Sequence, residues 1–97
     1  MIVFALALAA AAPSPPRVVV GPGTSTCEAS MAHPARMFDY VWGQWSGMNI
    51  AANKPVGYSI SQNDILKEVG LACAAFPKLP LAEAILGVHM RFEKQNR

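Results

Sequence analysis

Charged residues are scarce in this sequence. Only 14% of its 97 residues are Asp, Glu, Lys or Arg, and eight basic residues stand against six acidic ones without a basic run. A nucleic-acid-binding surface needs clustered Lys and Arg, so we expect no nucleic-acid partner. We also predict no metal or other cofactor, because His33 and His89 lie at no metal-ligand spacing from each other or from either cysteine.

Catalytic motifs are missing as well. The chain has no nucleophile elbow, phosphate-binding loop or paired-acid spacing, although Ser59, Ser61 and Asp64 lie near one another. His89 lies beside an apolar helical stripe, where a hydrogen-bonded structural histidine is the commoner case. We therefore predict that the protein is not an enzyme and has no catalytic residues.

The longest apolar run, "MIVFALALAAAA" at residues 1–12, is too short to cross a membrane. As a helix it spans about 18 Å, against a hydrocarbon core of about 30 Å. Its length matches a secretory signal, and Ala10 and Ala12 provide the small residues of a cleavage site. We predict a signal segment at 1–12, export to the periplasm or secretion, and no membrane span in the mature form.

Residues 13–25 contain four prolines and two glycines, the composition of a linker. The alternative for residues 1–12 is a buried first helix of the domain. A linker directly after it disfavours that alternative, because such a segment does not place a helix straight onto the domain. We therefore place the folded domain at residues 26–97.

Two cysteines, Cys27 and Cys73, agree with export. An even count in a short exported chain predicts a disulfide, and two cysteines allow only one pairing. Closing a loop of about 47 residues stabilises the fold by roughly 4 kcal/mol in the chain-entropy model. A mature domain of about eighty residues needs such a constraint, since small cores are marginal. The alternative is two buried free thiols in a cytosolic protein.

Helical periodicity extends from Thr26 to the C-terminal end. Four segments are separated by Pro- and Gly-containing breakers: a short one capped by Thr26, then 35–52, then 61–76 with Ser61 as its cap, and a last helix beginning at Pro80. We predict an all-α domain, a small bundle of about four helices stapled by one disulfide. Its apolar stripes comprise Phe38, Val41, Trp42, Trp45, Met48, Asn49 and Ala52; Ile65, Val69, Ala72, Cys73 and Phe76; and Leu81, Ile85, Val88 and Phe92.

The stretch "YVWGQWSGMN" at residues 40–49 combines both tryptophans with two glycines four residues apart. Glycines at this spacing allow another helix to approach closely, so we predict a tight helix contact at Gly43 and Gly47, with the tryptophans filling the core beside it. The alternative is a ligand groove or dimer face on the same helix. The candidate protein-binding or dimer face then comprises Tyr40, Trp42, Gly43, Trp45, Gly47 and Met48.

A family resemblance follows from these residues. A cysteine opening a short helix, the pattern of Tyr40, Gly43, Gly47 and Asn49, then "ILKEVGLAC" and "FPKLPLAEAI", resembles the HdeA/HdeB periplasmic acid-stress chaperones over about residues 26–92. The resemblance implies a dimer at neutral pH that loosens in acid and covers unfolding client polypeptides. The Gly43 to Gly47 helix and the "DILKEV" and "LAEA" runs are also similar to the Rap/Tai-type immunity proteins of type VI secretion. That similarity implies a single toxin as partner.

The charge count allows an acid response. Below the carboxyl pKa values the six acids become neutral, and eight Lys and Arg with two His leave about ten positive charges. Self-repulsion would then open the domain, while the disulfide would limit the opening. We therefore expect an exported envelope protein that acts as an acid-stress chaperone. The alternative is an immunity or inhibitor protein that binds a specific toxin in the periplasm.

Overall fold

The computed structural model describes residues 21–97. The predicted signal segment and most of the predicted linker lie outside the described residues. Four α-helices follow one another: α1 (Cys27–Met31), α2 (Pro34–Ala52), α3 (Gln62–Ala75) and α4 (Leu81–Lys94). Residues 21–97 contain no strand and one disulfide, so the predicted all-α fold and its covalent staple are confirmed.

Hydrogen-bonding side chains begin two of the helices where the sequence predicts caps. The Thr26 hydroxyl accepts from the Ala29 amide at 3.1 Å before α1, and the Ser61 hydroxyl accepts from the Asp64 amide at 3.1 Å before α3. Each cap satisfies one of the amides that a helix start leaves without a partner. Pro80 lies just outside α4 rather than in its first turn, one residue from the predicted start.

The core is built around α4. The predicted apolar stripe of this helix is confirmed, because all four of its residues are buried. They pack with Val41 and Trp45 of α2 and with the buried face of α3. Among residues 21–97, the buried hydrophobic residues other than alanine are Cys27, Val41, Trp45, Val56, Ile65, Val69, Cys73, Leu81, Ile85, Val88 and Phe92.

Three members of the predicted stripes are exposed instead. Phe38 is 36% exposed and Phe76 is 63% exposed, and Ala52 is also on the surface. Phe76 is the cap residue of α3, where the chain leaves the helix towards Pro77, and Ala52 is the last residue of α2. A helical stripe extrapolated to the end of a helix passes beyond the neighbour that would cover it.

The disulfide joins α1 to α3 beside the loop that leads into α4. Cys27 and Cys73 have their Cα atoms 5.0 Å apart. The first amides of α1 donate to this loop, Cys27 to the Leu79 carbonyl at 2.7 Å and Glu28 to the Pro77 carbonyl at 2.9 Å. The short first helix is therefore held by the covalent bond and by backbone hydrogen bonds together.

The folded domain includes residues before the predicted start at Thr26. Gly21–Thr24, at the end of the predicted linker, forms a 3-10 helix that contacts α2 and α4, with Gly23 buried. The Leu81 amide donates to the Ser25 carbonyl at 2.8 Å and fixes this segment against the start of α4. Among residues 21–97, no helix combines the length and apolar character needed to cross a bilayer.

Candidate functional site

The six residues of the candidate face on α2 do not share one surface. Trp45 is only 4% exposed and belongs to the core. Tyr40, Trp42 and Met48 are half-buried along the flanks of the helix. The remaining two, Gly43 and Gly47, face solvent.

The predicted tight helix contact at the two glycines is wrong within this chain. A Cβ atom added at Gly43 or Gly47 would meet no neighbouring atom within 4 Å. Successive helical residues are rotated by about 100°, and Val41 and Trp45 turn their side of α2 to the core. The glycines therefore lie on the outward side of the helix, where they remain part of the candidate partner face.

The close backbone approach occurs instead at Gly57, after α2. A Cβ atom there would lie 3.1 Å from the Trp45 ring and 3.1 Å from the Ile65 side chain. Gly57 also has a φ of +80°, in the left-handed region. The loop can cover the indole only because this residue has no side chain.

A buried chain of hydrogen bonds connects α2, the following loop and α4. Trp45 Nε1 donates to the Val56 carbonyl at 2.9 Å, and Asn49 Nδ2 donates to the same oxygen at 3.0 Å. Asn49 Oδ1 therefore faces the imidazole of His89, whose Nε2 lies 2.7 Å away. In this arrangement Nε2 carries the hydrogen and donates it to the amide oxygen.

His89 is enclosed by aromatic and polar neighbours. Its side chain is 2% exposed, and its ring centroid lies 4.8 Å from that of Trp45 in an edge-to-face arrangement. Burial lowers the pKa of His89, while the nearby Glu93 carboxylate acts in the opposite direction. The prediction of a satisfied structural histidine is confirmed by its hydrogen bond to Asn49.

Within the part of the chain that the structure describes, three ion pairs connect segments that are distant in sequence. Lys54 pairs with Glu93 at 2.9 Å and Lys78 with Glu28 at 2.8 Å, and a third pair joins α4 to α3. The third pair consists of Arg91 and Glu68. Hydrogen bonding and attraction from the lysine ammonium groups lower the pKa of Glu93 and of Glu28.

An apolar groove opens where α1, α2 and α3 meet. Its volume is about 250 Å³, and Phe38 forms one wall, 5.7 Å from the Trp42 ring centroid. Met31 is 45% exposed at its edge. The full lining is Met31, Pro34, Met37, Phe38 and Leu66. The folded protein thus presents apolar side chains beside the candidate face of α2.

Sequence reasoning missed the loop residues that complete the buried network. Val56 and Gly57 lie in "NKPVGYS", which the sequence identifies only as a break between helices. The sequence did contain a signal for the other part of the network. Asn49 and His89 are polar residues that lie on or beside the apolar stripes of two helices. Two such residues in one small core favour a hydrogen bond between them.

No group of three or more His, Cys, Asp or Glu side chains within the described part of the chain is arranged to hold a metal ion. The remaining function-bearing features are therefore the buried His89 network and the surfaces around α2. No protein-family model, curated protein or solved structure matches this chain. The resemblances to acid-stress chaperones and to immunity proteins stay predictions.

Proposed function

We propose that this protein is exported to the periplasm or secreted and acts as an acid-activated chaperone for unfolding proteins. The observation that carries the proposal is the buried, neutral His89, hydrogen-bonded through Asn49 to the loop that covers Trp45. The disulfide supports the location, since such bonds persist in oxidising compartments. The proposal needs no cofactor.

Acid should destabilise the fold through His89. Its pKa is lower in the folded protein than the ordinary value of about 6.5, so the unfolded chain binds the proton more readily. The stabilisation is complete above the unfolded value and is lost as pH falls through the folded value. One such group changes the free energy of unfolding by at most about 1.4 kcal/mol per pH unit.

The paired carboxylates act in the same direction at lower pH. Glu93 and Glu28 have lowered pKa values in the folded protein, so their contribution is present above an unfolded value of about 4.3 and lost as they are protonated. Protonating Glu93 also removes a negative charge that acts on His89. Acidification therefore weakens the contacts of α4 with α2 and its loop through His89 and Glu93, and the contact of α1 with the loop before α4 through Glu28.

Opening at this place would expose core surface without releasing the whole chain. Separation of α2 from α4 uncovers Trp45 and Phe92, while Cys27 and Cys73 still connect α1 to α3. About ten formal positive charges, from eight Lys and Arg and two His, would keep a complex with a client in solution.

The test is an acid titration of the oxidised protein from about pH 7 to about pH 2. We expect tryptophan fluorescence to shift to the red as Trp45 becomes hydrated, and a hydrophobic dye to bind. Light scattering from an acid-denatured envelope enzyme should fall when the protein is added. Unchanged fluorescence together with undiminished aggregation of the enzyme would contradict the proposed chaperone function.

Two histidine variants separate the proposed trigger from general acid sensitivity. His89→Gln should unfold with a shallower dependence of stability on pH as the pH falls below about 6.5, whereas His33→Gln, at an exposed position, should follow the parent. NMR titration of the parent measures the His89 pKa directly if His89→Gln is poorly folded. A His89 pKa at or above about 6.5 contradicts the trigger.

A second candidate is an immunity or inhibitor protein that binds one toxin. The outward side of α2 favours it, because Gly43 and Gly47 are exposed without neighbouring atoms and Ile50 is 79% exposed in the folded state. Such a surface also suits the homodimer that the chaperone resemblance implies. Tight binding of a single protein at neutral pH, without acid-induced client protection, would select this candidate over the chaperone.

A further inference from the structure

Two methionines and one histidine lie at residues 31–37, where α1 ends and α2 begins. Met31 is the last residue of α1, His33 immediately precedes α2, and Met37 lies in the first turn of that helix. The His33 amide donates to the Ser30 carbonyl at 3.0 Å, and the Met37 amide donates to the His33 carbonyl at 3.0 Å. The second bond closes one helical turn, so the Cα atoms of His33 and Met37 are about 6 Å apart.

Met37 borders both of the other residues. It lines the apolar groove of about 250 Å³ together with Met31, and it lines a second cavity of about 200 Å³ together with His33. A methionine side chain has three rotatable bonds, so its sulfur can turn in either direction without movement of the backbone. The two sulfur atoms and the imidazole can therefore approach a common point at the edge of the groove.

The ligand atoms of these side chains are not engaged elsewhere. His33 is exposed, and its ring makes no hydrogen bond, ion pair or aromatic contact within residues 21–97. Met31 is 45% exposed, and Met37 is half-buried against the core. An ion that arrives from solvent can therefore bind these residues without breaking a hydrogen bond.

The residue types favour a soft monovalent cation. Thioether sulfur is a ligand for Cu(I), whereas Mg²⁺ and Ca²⁺ are bound by oxygen ligands. No Asp or Glu lines either space in the described part of the chain, and Arg36 lines the cavity on the His33 side. Coulomb repulsion grows with the charge of the ion, so the Arg36 guanidinium disfavours a divalent ion more strongly than a monovalent one. The ligands and the charge together select Cu(I) over Zn²⁺.

We propose that Met31, His33 and Met37 bind Cu(I) in a three-coordinate site at the junction of α1 and α2. Each thioether and the neutral imidazole donate one lone pair to the ion, and binding transfers no electron. The predicted absence of a metal site concerns histidine and cysteine ligands, whereas this site depends on thioethers. It goes beyond the proposed chaperone function, because it uses neither His89 nor acid, and the two proposals fail independently.

Silver(I) is the first probe, because it is a soft monovalent cation that is stable in air. The full-length, oxidised protein, which has no free thiol in its described part, is titrated with silver nitrate in chloride-free buffer at neutral pH. NMR follows the methionine methyl groups and the histidine rings. We expect saturable shifts at Met31, Met37 and His33, with Met48 and Met90 unchanged. Cu(I), supplied with ascorbate in the absence of oxygen, should reproduce these shifts, and Zn²⁺ should not.

Conservative variants remove the sulfur and keep the apolar volume. Met31→Leu and Met37→Leu should each weaken silver binding about tenfold, because the ion loses one of its three ligands. Met90→Leu, at a methionine that is 57% exposed on α4, is the matched control and should bind like the parent. His33→Gln should also weaken binding. Met31 and His33 are both exposed, so their variants test the site even if Met37→Leu is poorly folded.

Several results would overturn the site. Equal shifts at Met31, Met37 and Met90 would mean unspecific binding to exposed thioethers. Undiminished binding by Met31→Leu and His33→Gln would place the ion elsewhere. Saturation of the same residues by Zn²⁺ would contradict a soft site, and absence of saturable shifts with silver would show that these residues bind no such ion.

Discussion

At the scale of single residues, Gly57 and Trp45 depend on each other. The indole is buried because the loop lies directly against it, and the Gly57 amide donates to the Arg97 carbonyl at 3.0 Å. The Arg97 guanidinium lies over the Phe92 ring, 4.1 Å from its centroid. One loop residue thus connects the tryptophan to the C-terminal end of the chain.

Replacing Gly57 with Ala should destabilise the protein by about 1–3 kcal/mol. The new Cβ would lie 3.1 Å from Trp45 and Ile65, at a φ of +80° that side chains rarely adopt. Urea unfolding followed by tryptophan fluorescence measures the loss. Gly87→Ala on the exposed side of α4 is the control, because nothing lies within 4 Å of its added methyl group. Equal stability of both variants would contradict the close approach.

At the scale of elements, α2 has two different sides. Its inward side carries Val41 and Trp45, and its outward side carries the two exposed glycines and Ile50. Glycine inside a helix is destabilising by about 1 kcal/mol relative to Ala. No contact within the described chain offsets that cost at Gly43 or Gly47. A flat outward surface that binds a second protein would account for these glycines, and the partner face stays a proposal.

Gly47→Ala should therefore stabilise the isolated protein by a few tenths to about 1 kcal/mol, and Gly47→Leu should be tolerated. Thermal unfolding of dilute protein at neutral pH measures both. A partner or dimer that uses this face would bind Gly47→Leu more weakly, and sedimentation at higher concentration tests the dimer. A large loss of stability in Gly47→Leu at low concentration would contradict an exposed Gly47. It would instead support a close helix contact at this residue within the chain.

At the scale of the whole molecule, a small core is supplemented by one long-range covalent bond. Cys27 and Cys73 are separated by 46 residues in sequence and both are fully buried. The three inter-segment ion pairs lie largely at the surface, where each contributes little at neutral pH. The disulfide is therefore the principal constraint that survives acid.

Removal of the disulfide should lower the free energy of unfolding by about 2–4 kcal/mol. The double variant Cys27→Ser, Cys73→Ser, compared with the parent in urea, measures the loss. Mass spectrometry of protein purified without reductant should show a mass about two units below the dithiol form. Two thiols open to alkylation in the native protein would contradict both the staple and the oxidising compartment.

Local chemistry in the sequence determined the helices and their staple. Three kinds of local feature can be predicted from the sequence because each acts over a few residues. They are the caps at Thr26 and Ser61, the breakers between helices and the apolar stripe of α4. The disulfide could be predicted from the number of cysteines, since two cysteines allow only one pairing. Only the tertiary structure decided which side of α2 is buried, because Trp45 and the two glycines satisfy helical periodicity equally well in either orientation.

Tertiary structure also decided the polar sites. The hydrogen bond between His89 and Asn49 spans 40 residues, and the Val56 carbonyl in the loop after α2 accepts from both Trp45 and Asn49. Sequence spacing does not predict such long-range contacts, since they depend on how whole helices pack. The physical reason is range: caps and periodicity act within one element, whereas burial, pKa shifts and cavities arise from elements brought together by the fold.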